Sequence, residues 1–439
     1  VATVRTQPED GQRQDLLIWL LLSALGLVVT ALAVRGGASL GTRSAPFLGS
    51  YRFNLGFASV LAPAWATVVI VASRRDLLER LGWRTLLVTA WGASLAWALA
   101  LAFVDGAAGL TRSLQSTDNY LTDVPAVGDN VRHFLHTFTA DAAQHSTAAR
   151  GHPPGPVLLL WALHRLGLTN PFSIGLLICA VGALIAPLTM SAVRGVCGEL
   201  AARRYAPVLV LATYAVWVAV SVDAVVAVLG AAMVAMGVHA SVSARKGWPA
   251  GLWALGAGIT LGIAALFSYA APWLGLSVVC VYFARRRAFL NLGTGLGALI
   301  PVLVAEKAGF SWVGGLMSAR HDYAVRIEPN RSAIWWGGIS LVVLILAAGP
   351  PLIRSARRYR NTPGWPFLVG AGVAVAFSVL FGLERGGAEA AWLPFFPWLT
   401  VAAVAPTAQG AKTPPSPLLL VAVGALTAVV VQAVLATPW

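Results

Sequence analysis

Charge is thin along this chain. Only 11% of its 439 residues are Asp, Glu, Lys or Arg, and the acids are the scarcer half, 17 against 31 cations. With 58% apolar residues alongside, there is too little polar surface to cover a water-soluble domain of this length. Cysteine is nearly absent. Cys179, Cys197 and Cys280 all lie in or beside apolar runs, which excludes a disulfide framework, and their spacing does not suit zinc. The alternating segments of about ten residues that build a membrane β-barrel are missing. No internal repeat or low-complexity tract is found.

What fills the chain is a succession of apolar runs, each roughly the 20 residues that a spanning helix needs. They fall near 16–34, 56–73, 86–104, 172–193, 205–220, 223–242, 250–266, 269–284, 289–305, 335–353, 366–382, 392–405 and 416–436. The fold class is therefore all-α, a polytopic transmembrane helical bundle of about 13 spans. The first run is too long for a signal-peptide core and reads as a retained helix. Residues 1–85 hold the N-terminal helices, 86–405 a core with outer loops at 105–155, 306–334 and 383–391, and 406–439 a last helix.

The net charge of +14 does not point to nucleic acid. Its cations sit in short clusters between apolar runs, as at Arg74-Arg75, Arg203-Arg204, Arg285-Arg286-Arg287 and Arg357-Arg358. That pattern marks cytoplasmic loops and suits anionic lipid headgroups. It puts the N-terminus and the loops at 74–85, 194–204, 243–248, 285–288 and 354–361 on the inner side of the membrane. The acids collect on the other side: Asp105, Asp118, Asp123, Asp129, Asp141, Glu306, Asp322, Glu328, Glu384 and Glu389. Chemistry belongs on that extracytoplasmic face.

Two stretches of the first outer loop carry their own signals. In "DNVRHFLHTFTADA", Val131, Phe134, Leu135 and Phe138 recur at helical spacing, with Asp129 or Asn130 as cap; a helix lying in the membrane interface is expected. In "ARGHPPGPVLLLW", a cation, a histidine and two prolines precede an apolar segment, 156–168, too short to span. The charge rule predicts that it dips into the membrane without crossing; a short ordinary helix is the alternative. Arg150 offers a fork for phosphate oxygens and His152 another donor, while Gly151 and Gly155 let the backbone come close to a ligand. A proline-rich helix start with snorkelling cations is the plainer reading.

Asp105 stands where a span leaves the membrane, and "STDNYLTDVPAVGDN" supplies Asp118, Tyr120 and Asp123. The order of a span, an immediate acid, an outer loop with a juxtamembrane helix and a Pro-Pro approach to the next apolar segment resembles the GT-C superfamily of polytopic glycosyltransferases. Protein O-mannosyltransferases, aminoarabinose transferases and mycobacterial lipoglycan mannosyl- and arabinosyltransferases are members. "WVAVSVDAVVAVLG" with Asp223 is similar to the family's Asp-bearing outer turn. "GLERGGAEAAWLPFFPW" is similar to an outer-loop segment of uncharacterised actinobacterial members. The resemblance covers roughly residues 86–400.

It implies an inverting transfer of a sugar, mannose or arabinose, from a polyprenyl-phosphate donor to an acceptor hydroxyl on a lipid, glycan, protein or small molecule. Asp105, Asp118 or Asp123 is the implied base. Arg150, His152, Tyr120, His145, Arg320, Arg331, Glu384 and Arg385 are the implied substrate-binding residues. No cofactor or tightly held metal is required, and a divalent ion is compatible with the scheme. Trp312, Trp335, Trp336 and Trp392 are candidates for stacking on sugar rings or for anchoring in the interface. A transporter or lipid flippase, and a noncatalytic scaffold, are the rival readings; the span centres lack the ionisable groups that transporters place there.

Overall fold

The computed structural model describes residues 7–219, 221–242, 247–360, 362–408 and 410–438. The expected basic loop at 243–248 falls largely outside them, at 243–246. In chain order the principal helices are α1 (Gln7–Arg35), α2 (Leu61–Arg74), α3 (Trp83–Ala102), α4 (Val131–Thr137), α5 (Gly155–Arg165), α6 (Pro171–Gly182), α7 (Ile185–Cys197), α8 (Glu199–Val210), α9 (Val222–Ala240) and α10 (Trp248–Ala265). They continue as α11 (Gly275–Ala284), α12 (Leu290–Lys307), α13 (Trp312–Arg326), α14 (Ala333–Ala348), α15 (Pro351–Arg358), α16 (Trp365–Leu380) and α17 (Leu418–Val434). A two-residue antiparallel pairing, β1 (Ser50–Tyr51) with β2 (Leu435–Ala436), ties the 36–56 loop to the end of α17.

Among the described residues, six helical stretches are long and apolar enough to cross a membrane: Gly11–Arg35, Phe57–Arg74, Trp83–Asp105, Pro171–Cys197, Val222–Ala240 and Trp248–Ala265. Counting each of two bent pairs, α12 with α13 and α14 with α15, as one span brings the number to eight, and 271–284, 365–380 and 418–434 are shorter apolar helices. This is a helical polytopic membrane protein. Its lipid-facing side shows on α1, where Leu17, Leu21, Leu25 and Leu32 are exposed, and on α12, where Leu292, Leu296 and Leu303 are.

Two of the expected spans are not continuous helices. Over 205–220, α8 stops at Val210, three residues beyond Pro207, and a single 3-10 segment follows at Thr213–Trp217. Over 392–405 the chain makes only short turns at Phe396–Leu399 and Val401–Ala403. Irregular backbone at membrane depth is tolerated only inside protein, and both stretches are interior: Tyr205, Trp217, Phe396 and Trp398 are fully buried. They satisfy each other. The Tyr205 hydroxyl meets the Pro397 carbonyl and Thr400 Oγ1, and Tyr214 stacks on Phe396 with centroids 5.8 Å apart.

The predicted cytoplasmic cations converge on one end of the bundle. Arg194 and Arg203 hold Glu199 and flank the Trp83 ring, Arg204 pairs with Glu79, and Arg354 and Arg357 share Asp15. The acid-rich loops gather at the opposite end. Between them the apolar residues of α7, α9, α11 and the two interior segments form the core.

Candidate functional site

α5 has eleven residues, about 16 Å of helix against a hydrocarbon core of about 30 Å. Its start is held by the end of α10 and its second half by the outer loop that precedes it. Gly155 N donates to the Leu266 carbonyl at 2.9 Å, Trp161 Nε1 to Gly128 O at 2.9 Å, and Arg165 pairs with Asp129 at 2.6 Å. A helix of this length is too short to span by itself, in line with the length read from the sequence.

Asp105 occupies its own corner. Its side chain is 3% exposed and is held by Arg52, by Arg112 at 3.2 Å and by Asn54 Nδ2 at 2.9 Å. Arg52 and Asn54 belong to the 36–56 loop, to which the sequence reading gave no role. β1 positions them, and the same loop reaches Glu389, whose Oε1 accepts from Leu48 N at 2.8 Å.

Asp118, Tyr120, Asp123, His145, Arg150 and His152 form a second group. Asp123 is buried and accepts from Ser146 N at 3.0 Å, with His145 Nδ1 at 3.2 Å. Burial pushes its carboxyl up, but the bonds from His145 and Ser146 outweigh it and hold the group below the usual carboxylate range. His145 in turn stacks on Phe138, centroids 4.7 Å apart. Phe134, Leu135 and Phe138 are buried, so α4 packs its apolar face into this group; Asn130 caps it through His133 N at 2.9 Å. Asp118 is exposed. Thr147 Oγ1 donates to it at 2.9 Å and accepts from Arg150 Nη2 at 3.1 Å. His152 Nδ1 lies 2.9 Å from Ala148 O, and its ring meets Tyr120 edge-on at 5.7 Å.

The third group centres on Glu328, which pairs with Arg320 and Arg385, each at 3.0 Å. Arg331 Nη1 donates to the Arg385 carbonyl at 2.7 Å. Glu384 is half-buried beside Asp223 and Glu389. Burial and the two neighbouring carboxylates push its carboxyl up to about 8, and Arg331 offsets only part of that.

α13 joins the second and third groups. It leaves α12 at 81°, with Val313, Met317 and Val325 exposed. Its Asp322 faces Arg150 at 3.7 Å, and its Tyr323 hydroxyl accepts from Arg385 N at 2.7 Å. Asp223 stands between the groups: its charge acts on both Tyr120 and Glu384.

Trp336 and Trp392 are interior, at 1% and 2% exposure, bonded to Leu40 O and Ser378 Oγ. Neither presents a face to a sugar or to the interface. Trp312 Nε1 donates to Ala265 O at 2.8 Å, and Trp335 is exposed. Among the described residues, no three His, Cys, Asp or Glu side chains are grouped to hold a metal ion. No family model, curated protein or solved structure matches the chain.

Proposed function

We propose that the protein is a polytopic GT-C-like glycosyltransferase with an inside N-terminus and its active site on the extracytoplasmic face. It moves mannose or arabinose from a polyprenyl-phosphate donor to an acceptor hydroxyl with inversion. The observation that carries this reading is the continuous polar chain Asp118–Thr147–Arg150–Asp322, extended along α13 through Tyr323 to Arg385, Glu328 and Arg320. An open carboxylate and several guanidinium forks lie along one path, which is what transfer from a phosphate leaving group needs.

The donor phosphate takes Arg150 from Asp322 and shares Arg320 and Arg385 with Glu328, while the isoprenoid lies along the exposed apolar side of α13. The acceptor oxygen attacks the anomeric carbon, its proton passes to a carboxylate, and the sugar–phosphate bond breaks with its electron pair on the phosphate. Of the three candidate bases, Asp118 keeps the most open carboxylate. Asp105 is closed by three donors and Asp123 by His145 and Ser146. The arginines stabilise charge that develops on the leaving oxygen.

The test is purified full-length protein with radiolabelled polyprenyl-phospho-mannose and polyprenyl-phospho-arabinose against a panel of acceptors. Asp118→Asn is expected to lower turnover by about 10²–10⁴-fold, and Arg150→Ala to weaken donor use. Full turnover in Asp118→Asn moves the base to Asp105 or Asp123. No transfer from either donor, together with solute movement in proteoliposomes, would replace the reading with a transporter.

A further inference from the structure

The acid-rich end leaves one feature of the opposite end unexplained. Between the last turn of α7, the end of α11 and the loop before α16 lies a cavity of about 400 Å³, within the range of small-ligand sites. Val196, Val281, Ala284 and Trp365 make its apolar walls, and Arg285 and Thr362 supply polar groups. We propose that this hollow binds the phosphate head of an anionic membrane lipid, with Arg285 as the anion-binding group.

Arg285 is half-buried and its partners are neutral: Ser241 Oγ at 3.2 Å and the Gly195 carbonyl. A guanidinium has five N–H donors, so three remain. Among the described residues no carboxylate pairs with it. The acids that pair with the other basic residues at this end are committed there, Asp15 to Arg354 and Arg357, Glu79 to Arg204, Glu199 to Arg194 and Arg203. A sheltered cation without a counter-charge is costly, and an anion entering the hollow removes that cost. Thr362 Oγ1 accepts from Gly364 N at 3.2 Å, which leaves its O–H free to donate to a phosphate oxygen.

The surroundings favour an amphiphile over free phosphate. Trp365, Val369 and Val373 recur every four residues along α16 and are all exposed, and Phe283 and Phe289 are exposed on either side of the arginine cluster. A chain attached to a headgroup in the hollow has an apolar track to follow. The cavity holds the headgroup, and the track takes the first methylenes.

Native mass spectrometry of the full-length protein in detergent tests this. Dioleoyl phosphatidylglycerol, dioleoyl phosphatidylcholine and inorganic phosphate are the three probes. One phosphatidylglycerol is expected to be retained at concentrations where phosphatidylcholine is not. Arg285→Gln is expected to weaken it about tenfold. Ala284→Trp fills the hollow without removing any bond of the guanidinium and is expected to do the same, which separates lost binding from lost folding. Unchanged retention in Ala284→Trp, equal retention of phosphatidylcholine, or displacement of the lipid by equimolar inorganic phosphate would each overturn the proposal.

Discussion

Glu384 shows how one residue's neighbours set its charge. An isolated glutamate is ionised at neutral pH, but burial and the carboxylates of Asp223 and Glu389 raise this one to about 8. It therefore holds its proton in the folded protein where the unfolded chain has released it. The folded state binds the extra proton between about 4.5 and about 8, so stability falls as pH rises through that window and levels off above it. Thermal unfolding of the detergent-solubilised protein is expected to show this decline, and Glu384→Gln, a permanently neutral stand-in, is expected to flatten it. An equal slope in the variant would assign the decline to other groups. The sequence exposes Glu384 as an outer-loop acid but not this state, because Asp223 lies about 160 positions away and only folding brings the two together. Arg52 and Asn54 were illegible for the same reason. Nothing local marks them, and they matter only because the 36–56 loop carries them to Asp105.

Packing between elements is tightest where α10 meets α12. A Cβ on Gly258 would run into the backbone at Thr294, one on Gly262 into the Ala298 carbonyl, and one on Gly297 into Leu255 O. Small residues four apart let the two backbones approach at a distance that no larger side chain allows. Gly258→Leu is expected to cost about 1–3 kcal/mol or more through overpacking, read as a lower melting temperature and lower yield. Gly251→Leu, on the same helix with open space before it, is the control and is expected to be neutral. The helices with strong apolar runs were legible, and most begin and end within a few residues of where hydropathy places them. The 205–220 and 392–405 stretches were misread because hydropathy reports burial without distinguishing lipid from protein. The first leaves the α-helix after Val210 and the second makes only short turns, and both lie inside protein, where the Tyr205 hydroxyl bonds the Pro397 carbonyl.

For the whole molecule, the separation of charge between the two ends predicts its placement in a membrane. In a Cys280→Ala background, a cysteine at Thr117 is expected to react with an impermeant maleimide from outside sealed cells. One at Arg286 is expected to react only after permeabilisation; both positions are exposed. Reaction of both from the same side would remove the orientation and the extracytoplasmic site with it. Composition and apolar run length alone determined that this is a helical membrane protein with basic loops at one end and acids at the other, because those are properties of each segment against its solvent. Which carboxylates stand open, which arginines lie beside them and which helix joins them were decided by the tertiary structure. Those are distances between segments far apart in the chain, set by how α13, the 36–56 loop and α5 pack, and no local pattern encodes them.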